Sequence, residues 1–491
     1  MTLLQKYYCF WKIIKYKSDN KLNFIKSKNA KNLLIYNFST WAPPIISFAL
    51  LPLYTSYLSL EDYGVRALIL LAIIIFDVIS NLGLNWLIRA KYHKLEENKK
   101  VYLFSLLLLS IFFRFTIILL LLPVVDIYLS SLLNKWDESY IYIFYLQLII
   151  YFMNSFIVVL TEVFVVERKA KEYSYIFIFS YLINITIATF YLVYLKEGIG
   201  SIFYGEIYQA IIFTLFSIFI LRKHFCIGFT TNIFKDIIKI GLPALPKSSF
   251  AQIQQKADQY IMQMYLPIGV LGVYSKSQFI RSGIDGMNKS FSRAYSPSYM
   301  KDKNHNKDTE YTEKLTTKWL LVISVIYIFF VLYLLDIFIL MRINPDFYIM
   351  ATIAPMLALR SVIMSFGTMF SNNILISEKT YIFTIRSIIA GIVSVLLNLL
   401  LIPSLEIIGA IISSIISAFI IIGFGYYYSE RKLLYKTYLN YKVYFFLIMY
   451  LFSVTFFIYF GTINTTIEKN IIFILSIFIG IFINNKYIKG V

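Results

Sequence analysis

Charge is scarce in this chain, and acid is scarcer than base. Of 491 residues 15% are charged, with 27 Asp and Glu against 46 Lys and Arg and a formal net charge of +19. Cysteine occurs twice and histidine three times. So little charge excludes a soluble globular protein of this length, which must present a charged surface to water. Cys9 and Cys226 fall in basic segments and support neither a disulfide framework nor a metal site. His93, His224 and His305 all lie between apolar runs, and no catalytic constellation is visible, so no enzyme is expected. The phosphate-binding pattern G-x-x-x-x-G-K-[ST] is missing, which leaves no ATPase within the chain. The alternating segments of a membrane barrel are missing too.

What the chain does have is apolar length. It is 59% hydrophobic and 18% aromatic, and apolar runs of about twenty residues recur, enough to cross about 30 Å of hydrocarbon as helix. Only an all-α polytopic membrane protein fits. Fourteen spans are expected, at 33–57, 64–88, 101–125, 139–166, 174–195, 199–221, 237–262, 269–292, 317–340, 347–374, 380–402, 406–428, 441–460 and 468–485. They divide the chain into a basic N-terminal segment (1–32), a first lobe (33–221), a second lobe (237–428) and two further spans (441–485). The loops of one side, with both termini, hold 32 Lys and Arg, and those of the other hold 4. The more basic side is cytoplasmic. This placement accounts for the net charge as topology and argues against nucleic acid. The N-terminal segment has eight lysines and no long apolar core, so it does not read as a cleaved signal peptide. Aromatic residues between its lysines suit the anionic lipid surface.

The two lobes are copies. Tyr57-Leu58, five residues and Gly64-Val65 recur 208 positions later as Tyr265-Leu266 and Gly272-Val273. Glu197-Gly198-Ile199-Gly200 is matched 209 positions later by Glu406-Ile407-Ile408-Gly409. Six spans separate the copies, so both lobes point the same way, and a cavity is expected between them.

A charge at the bilayer centre costs roughly 2.5–3.5 kcal/mol on insertion scales, so such residues face protein or water. Lys247, Arg281, Arg360 and Arg114 lie ten to thirteen residues into spans seven, eight, ten and three, and Asp77 lies as deep in span two. At about 1.5 Å per residue all five sit near the midplane. Span eight carries Tyr274, Gln278, Arg281, Asp285, Asn288 and Ser292 on one face, and span seven carries Lys247, Ala251, Gln254 and Asp258. Two such stripes should turn to one water-filled space. The plainer readings stand beside this. Arg281 and Asp285, four apart, could pair with each other. Arg66, Arg386, Lys289 and Arg293 read as interface anchors. Asp77, Asp258 and Asp285 are the acids able to carry a coupling H⁺ or Na⁺, and no bound cofactor is expected.

Three blocks resemble the Wzx-type polysaccharide flippases, the polysaccharide-exporter branch of the superfamily that also holds the MATE exporters and lipid II flippases. They are LLPLYTSYLSLEDYGVRALI (50–69), GLPALP with ADQYIMQMYLPIGVLGVYS (241–275) and LNLLLIPSLEIIGAIISSIIS (397–417). The family's Ser-Asp-Arg is Ala257-Asp258-Gln259 here, so the arginine's role does not carry over. The resemblance implies two six-helix lobes in a V plus two extra C-terminal helices, working by alternating access. It implies export of an undecaprenyl-diphosphate-linked oligosaccharide across the bacterial inner membrane, for O-antigen or capsule. A polysaccharide polymerase and a chain-length regulator would be the protein partners. The deep cations Lys247, Arg281, Arg360 and Arg114 would then face the diphosphate. A MATE-like exporter of small cations and a non-transporting scaffold for polysaccharide synthesis are the alternatives.

Overall fold

The computed structural model describes residues 42–80, 83, 87–88, 91–92, 99–132, 138–167, 169–304, 310–377, 381–433, 441–459 and 465–485. The basic segment 1–32 and the start of the first span lie outside them. All regular structure among the described residues is helical. Residues 42–49 are helical and lead into α1 (Leu51–Tyr57). Then come α2 (Leu60–Ser80), α3 (Lys99–Leu132), α4 (Glu138–Val166), α5 (Ala170–Phe190) and α6 (Gly200–Leu221). A linker holding a short helix (Asn232–Asp236) and a π turn (Ile237–Gly241) runs into α7 (Leu242–Tyr265). α8 (Ile268–Ser277), α9 (Phe279–Asn304), α10 (Glu310–Leu340), α11 (Ile349–Ser365), α12 (Thr368–Ile376) and α13 (Tyr381–Tyr426) follow, and α14 (Tyr441–Tyr459) and α15 (Thr466–Ile483) end the chain.

The helices fall where the apolar runs predict them, with local differences. Span eight is two helices, α8 and α9, meeting at Gln278, and nothing in the local sequence marks that break. Span ten divides into α11 and α12 at Phe366-Gly367, where glycine weakens the helix. Spans eleven and twelve run together as α13, parted at Glu406, whose backbone is left-handed (φ 50°). Left-handed backbone costs a non-glycine residue about 1–2 kcal/mol, and here it reverses the chain just after Pro403. Eight helical runs among the described residues are long and apolar enough to cross a membrane, α13 counted as one. The chain is a multi-pass membrane protein.

One face of the bundle carries the tight turns at 58–59, 266–267 and Glu406; the other carries the long basic connections. At the tight-turn face the two copies of the repeat meet. Gly64 packs against the backbone carbonyl of Ile268, and Gly272 packs against that of Leu60 and lies beside the Gly64 nitrogen. Leu60 and Ile268 are themselves 208 apart, as are Gly64 and Gly272. The contact is therefore self-complementary, each copy giving the other the same glycine and the same carbonyl. A methyl group on either glycine would overlap that oxygen. Around this contact one apolar core runs through both halves, with Tyr63, Leu68 and Leu71 on one side and Ile261, Leu271 and Tyr274 on the other.

Candidate functional site

Beneath the glycine contact lies a cavity of about 340 Å³ between the halves. α2 supplies Arg66, α7 supplies Lys256 and Gln259, and α8 and α9 supply Ser275, Lys276, Gln278 and Ser282. Among the described residues its lining holds three cations and no carboxylate. Each cation is held by a different device. Arg66 Nη2 lies 2.6 Å from Glu206 Oε1 on α6. Lys256 Nζ donates to Gln259 Oε1 at 3.2 Å. Lys276 Nζ stands 4.6 Å from the centre of the Tyr63 ring, a cation–π contact. Only the first involves a charge of opposite sign. A second, apolar space of about 240 Å³ opens between residues 44–48 and α9, lined by Pro44, Ile45, Ile284 and Met287 and closed behind by Ile326 and Phe330 of α10. Phe48, Phe279 and Ser282 border both spaces, so the polar cavity and the apolar groove share a wall.

The deep charges singled out from the sequence are arranged differently. Arg114 is buried in the first half. Its Nη1 donates to the Tyr151 carbonyl at 2.6 Å, its plane covers the Tyr151 ring, and Nη2 lies 3.4 Å from Asp77 Oδ1. The other oxygen of Asp77 accepts from Gln252 of α7 at 3.5 Å. Arg281, Asp285, Asp258 and Tyr274 lie within electrostatic reach of Arg360, inside the second half. Asp258 accepts from the Tyr274 hydroxyl and from the Gln259 backbone N–H. Among the described residues Arg281 Nη1 is buried without a hydrogen-bond partner. Asn288, on the same stripe, donates to the Ser361 carbonyl and accepts from Trp319 and Ser365. That stripe thus meets α10 and α11. The structure brings Arg281 and Arg360 together and keeps Arg114 apart from them. The side chain of Lys247 lies outside the described residues, and its backbone is in α7.

Sequence reasoning read Arg66 as an interface anchor and passed over Lys276. The signal was available. Arg66 follows Gly64 by two residues and Lys276 follows Gly272 by four, so both sit within about one turn of the glycine contact.

At the basic face the first half carries an ionic staple. Glu167 is 2.6 Å from Lys169, accepts from the Tyr92 hydroxyl and stands 3.7 Å from His224 Nδ1. Asp236 pairs with Lys91 at 2.7 Å and accepts from Tyr102. Burial raises the Glu167 carboxyl, but hydrogen bonds from Lys169 and Tyr92 and the neighbouring positive charge outweigh it, and the group ends below its ordinary range. Burial, helped by Lys169, Lys99 and Lys100, holds His224 below its ordinary value against the pull of Glu167. No cluster of His, Cys, Asp and Glu suited to a metal occurs among the described residues.

The sequence matches the family described as "Polysaccharide biosynthesis protein" over residues 56–343, more than half of its length. No curated protein matches it. Solved structures share its fold. A lipid II flippase, MurJ, in an inward closed conformation superposes with a TM-score of 0.68 at 17% identity, covering 92% of this chain and 98% of its own. A multidrug resistance MATE family transporter of the MOP superfamily, inward-facing, gives 0.63 at 16% identity over 82% and 96%. A MOP superfamily transporter from Pyrococcus furiosus, whose binding pocket is described as of reverse polarity, gives 0.59 at 17% identity over 84% and 98%.

Proposed function

Since the chain belongs to the polysaccharide biosynthesis protein family, we propose that it is a flippase for an undecaprenyl-diphosphate-linked oligosaccharide. It would move the lipid from the inner to the outer leaflet of a bacterial inner membrane during assembly of a surface polysaccharide such as O-antigen or capsule. The basic face is then cytoplasmic and the glycine contact closes the outer side. The observation that carries the proposal is the polar cavity, with three cations and no carboxylate among its described lining residues, sharing a wall with an apolar groove. A lipid diphosphate needs both at once. Its phosphates need cationic donors away from bulk water, and its prenyl chain needs an apolar path beside them. Lys256 and Lys276, with no acid bound to them, are the first partners for the phosphates. Arg281 and Arg360 serve from the second half if it opens. A site for small cations would need carboxylates on the lining, and none occurs among the described lining residues.

The test is a deletion in the source bacterium, with lipid-linked oligosaccharides extracted and surface polysaccharide stained. Persistence of the complete lipid-linked unit with loss of surface polymer, reversed by the intact gene, is the expected result. Unchanged surface polymer would overturn the proposal.

A further inference from the structure

Of the acids within the membrane, one is bound to a cation of the cavity. Glu206, on α6, holds Arg66 at 2.6 Å, and the two side chains are 19% and 32% exposed. The other candidates are otherwise engaged or lie elsewhere. Asp77 faces Arg114 and Gln252, Asp258 accepts from Tyr274, and Asp285 lies near Arg360. The Arg66 guanidinium is therefore shared between two claimants, since it lines the cavity on one side and meets Glu206 on the other. Its Nε is buried without a hydrogen-bond partner, so the present arrangement leaves one donor unused.

We infer that Glu206 is a proton-binding site that is switched on when an anionic headgroup takes Arg66. This rests on the proposed function. A phosphate oxygen entering the cavity competes with Glu206 for the guanidinium. Once Arg66 turns to the phosphate, Glu206 is left as a largely buried carboxylate without its counter-charge and with a new anion nearby. Removing one partner of a buried pair is costly for the partner left behind. The remedy open to a carboxylate is to take a proton from the water of the cavity. Among the described residues no cation other than Arg66 forms an ion pair with Glu206. Tyr54, Tyr63 and Tyr181 lie within electrostatic reach of Arg66, as do Lys256 and Lys276 from across the cavity. The tyrosines are neutral, and the two lysines line the space that the headgroup fills. Binding of the diphosphate and binding of one proton are then favourable to each other, which is thermodynamic linkage in both directions.

The experiment uses the full chain in nanodiscs and a synthetic farnesyl-diphosphate-linked monosaccharide. This probe is a diphosphate diester with no group of its own that titrates near neutrality. Calorimetry in buffers of different ionisation enthalpy counts the protons taken up on binding. The wild-type chain should take up protons, up to one per probe, with affinity rising as pH falls by at most about tenfold per unit. Glu206→Gln should bind at least as tightly, with less uptake than the wild type and a shallower slope, any remainder belonging to the Lys276 amine in the cavity lining. Arg66→Gln should bind more weakly and also lose the Glu206 share of the uptake. Binding by the wild type with no proton uptake, or with the same uptake in Glu206→Gln, overturns the inference and leaves the flippase reading standing. Absence of any binding by the wild type overturns both.

Discussion

The halves meet along two seams that the repeat makes equivalent, and the seams differ. One runs between α2 and α7. There the Tyr260 hydroxyl donates to the Leu71 carbonyl at 2.6 Å, Gln252 reaches Asp77 at 3.5 Å, and Gly83 abuts Gly241. The other runs between residues 42–50 and α9, where the apolar groove opens and Phe48 stacks on Phe279 at 5.4 Å. At the offset of 208, Asp77 corresponds to Asp285 and Leu71 to Phe279, but Gln252 corresponds to Pro44, Tyr260 to Pro52 and Lys256 to Phe48. Prolines stand in place of the two donors that cross the seam, and a phenylalanine in place of Lys256, which donates within α7. The first seam is stitched by polar side chains, while the described lining of the groove at the second is apolar except for Ser282, and apolar contact is non-directional and parts at little cost where lipid can take its place. The repeat thus carries polar contacts on one seam and an apolar groove on the other.

The strongest break of this picture is at the contact both seams share. Gly272→Ala should overpack it by about 1–3 kcal/mol, shifting the closed arrangement toward opening by roughly 5–150-fold. In a background without Cys9 and Cys226, Ala67→Cys, buried in the cavity lining beneath the contact, should become more reactive to an impermeant thiol reagent. Unchanged labelling would mean that the glycines do not set the closure. On the stitched seam, Tyr260→Phe should cost about 0.5–1.5 kcal/mol, read as a lower melting temperature. On the open seam, Pro44→Gln restores a donor near the groove and should slow export several-fold; export at the wild-type rate would show that donors are not what distinguishes the seams.

The smallest effect lies away from both seams, at the basic-face staple. Glu167 is held below its ordinary range, so its contribution is present above the unfolded value of 4.5 and is lost as pH falls through the folded one. His224 is also lowered, so its contribution is complete above 6.5 and declines as pH falls below that. Both act in one direction. Hydrogen-exchange protection over residues 222–236, taken relative to the intrinsic rate at each pH, should fall on acidification, and His224→Gln should remove the upper part of that change.

The helices and the repeat were legible because apolar length and a recurring turn are local facts. The location of the cations was only partly so. Depth along a helix is countable, but facing is not. The stripe of Arg281, Asp285 and Asn288 correctly announces polar surroundings, and those surroundings are α10 and α11. Periodicity cannot tell a polar neighbour from a wet cavity. Arg66 and Lys276 stand on less polar stretches, so only their closeness to the repeated glycines betrayed them.

The measurement that tests the account most directly is reconstitution of the purified chain in liposomes with a fluorescent prenyl-diphosphate-linked sugar on one leaflet. The wild type should move it across, and Lys256→Gln with Lys276→Gln should not, while retaining its fold by melting and gel filtration. A double variant that flips the lipid at the wild-type rate would contradict the cationic cavity as the site of transport.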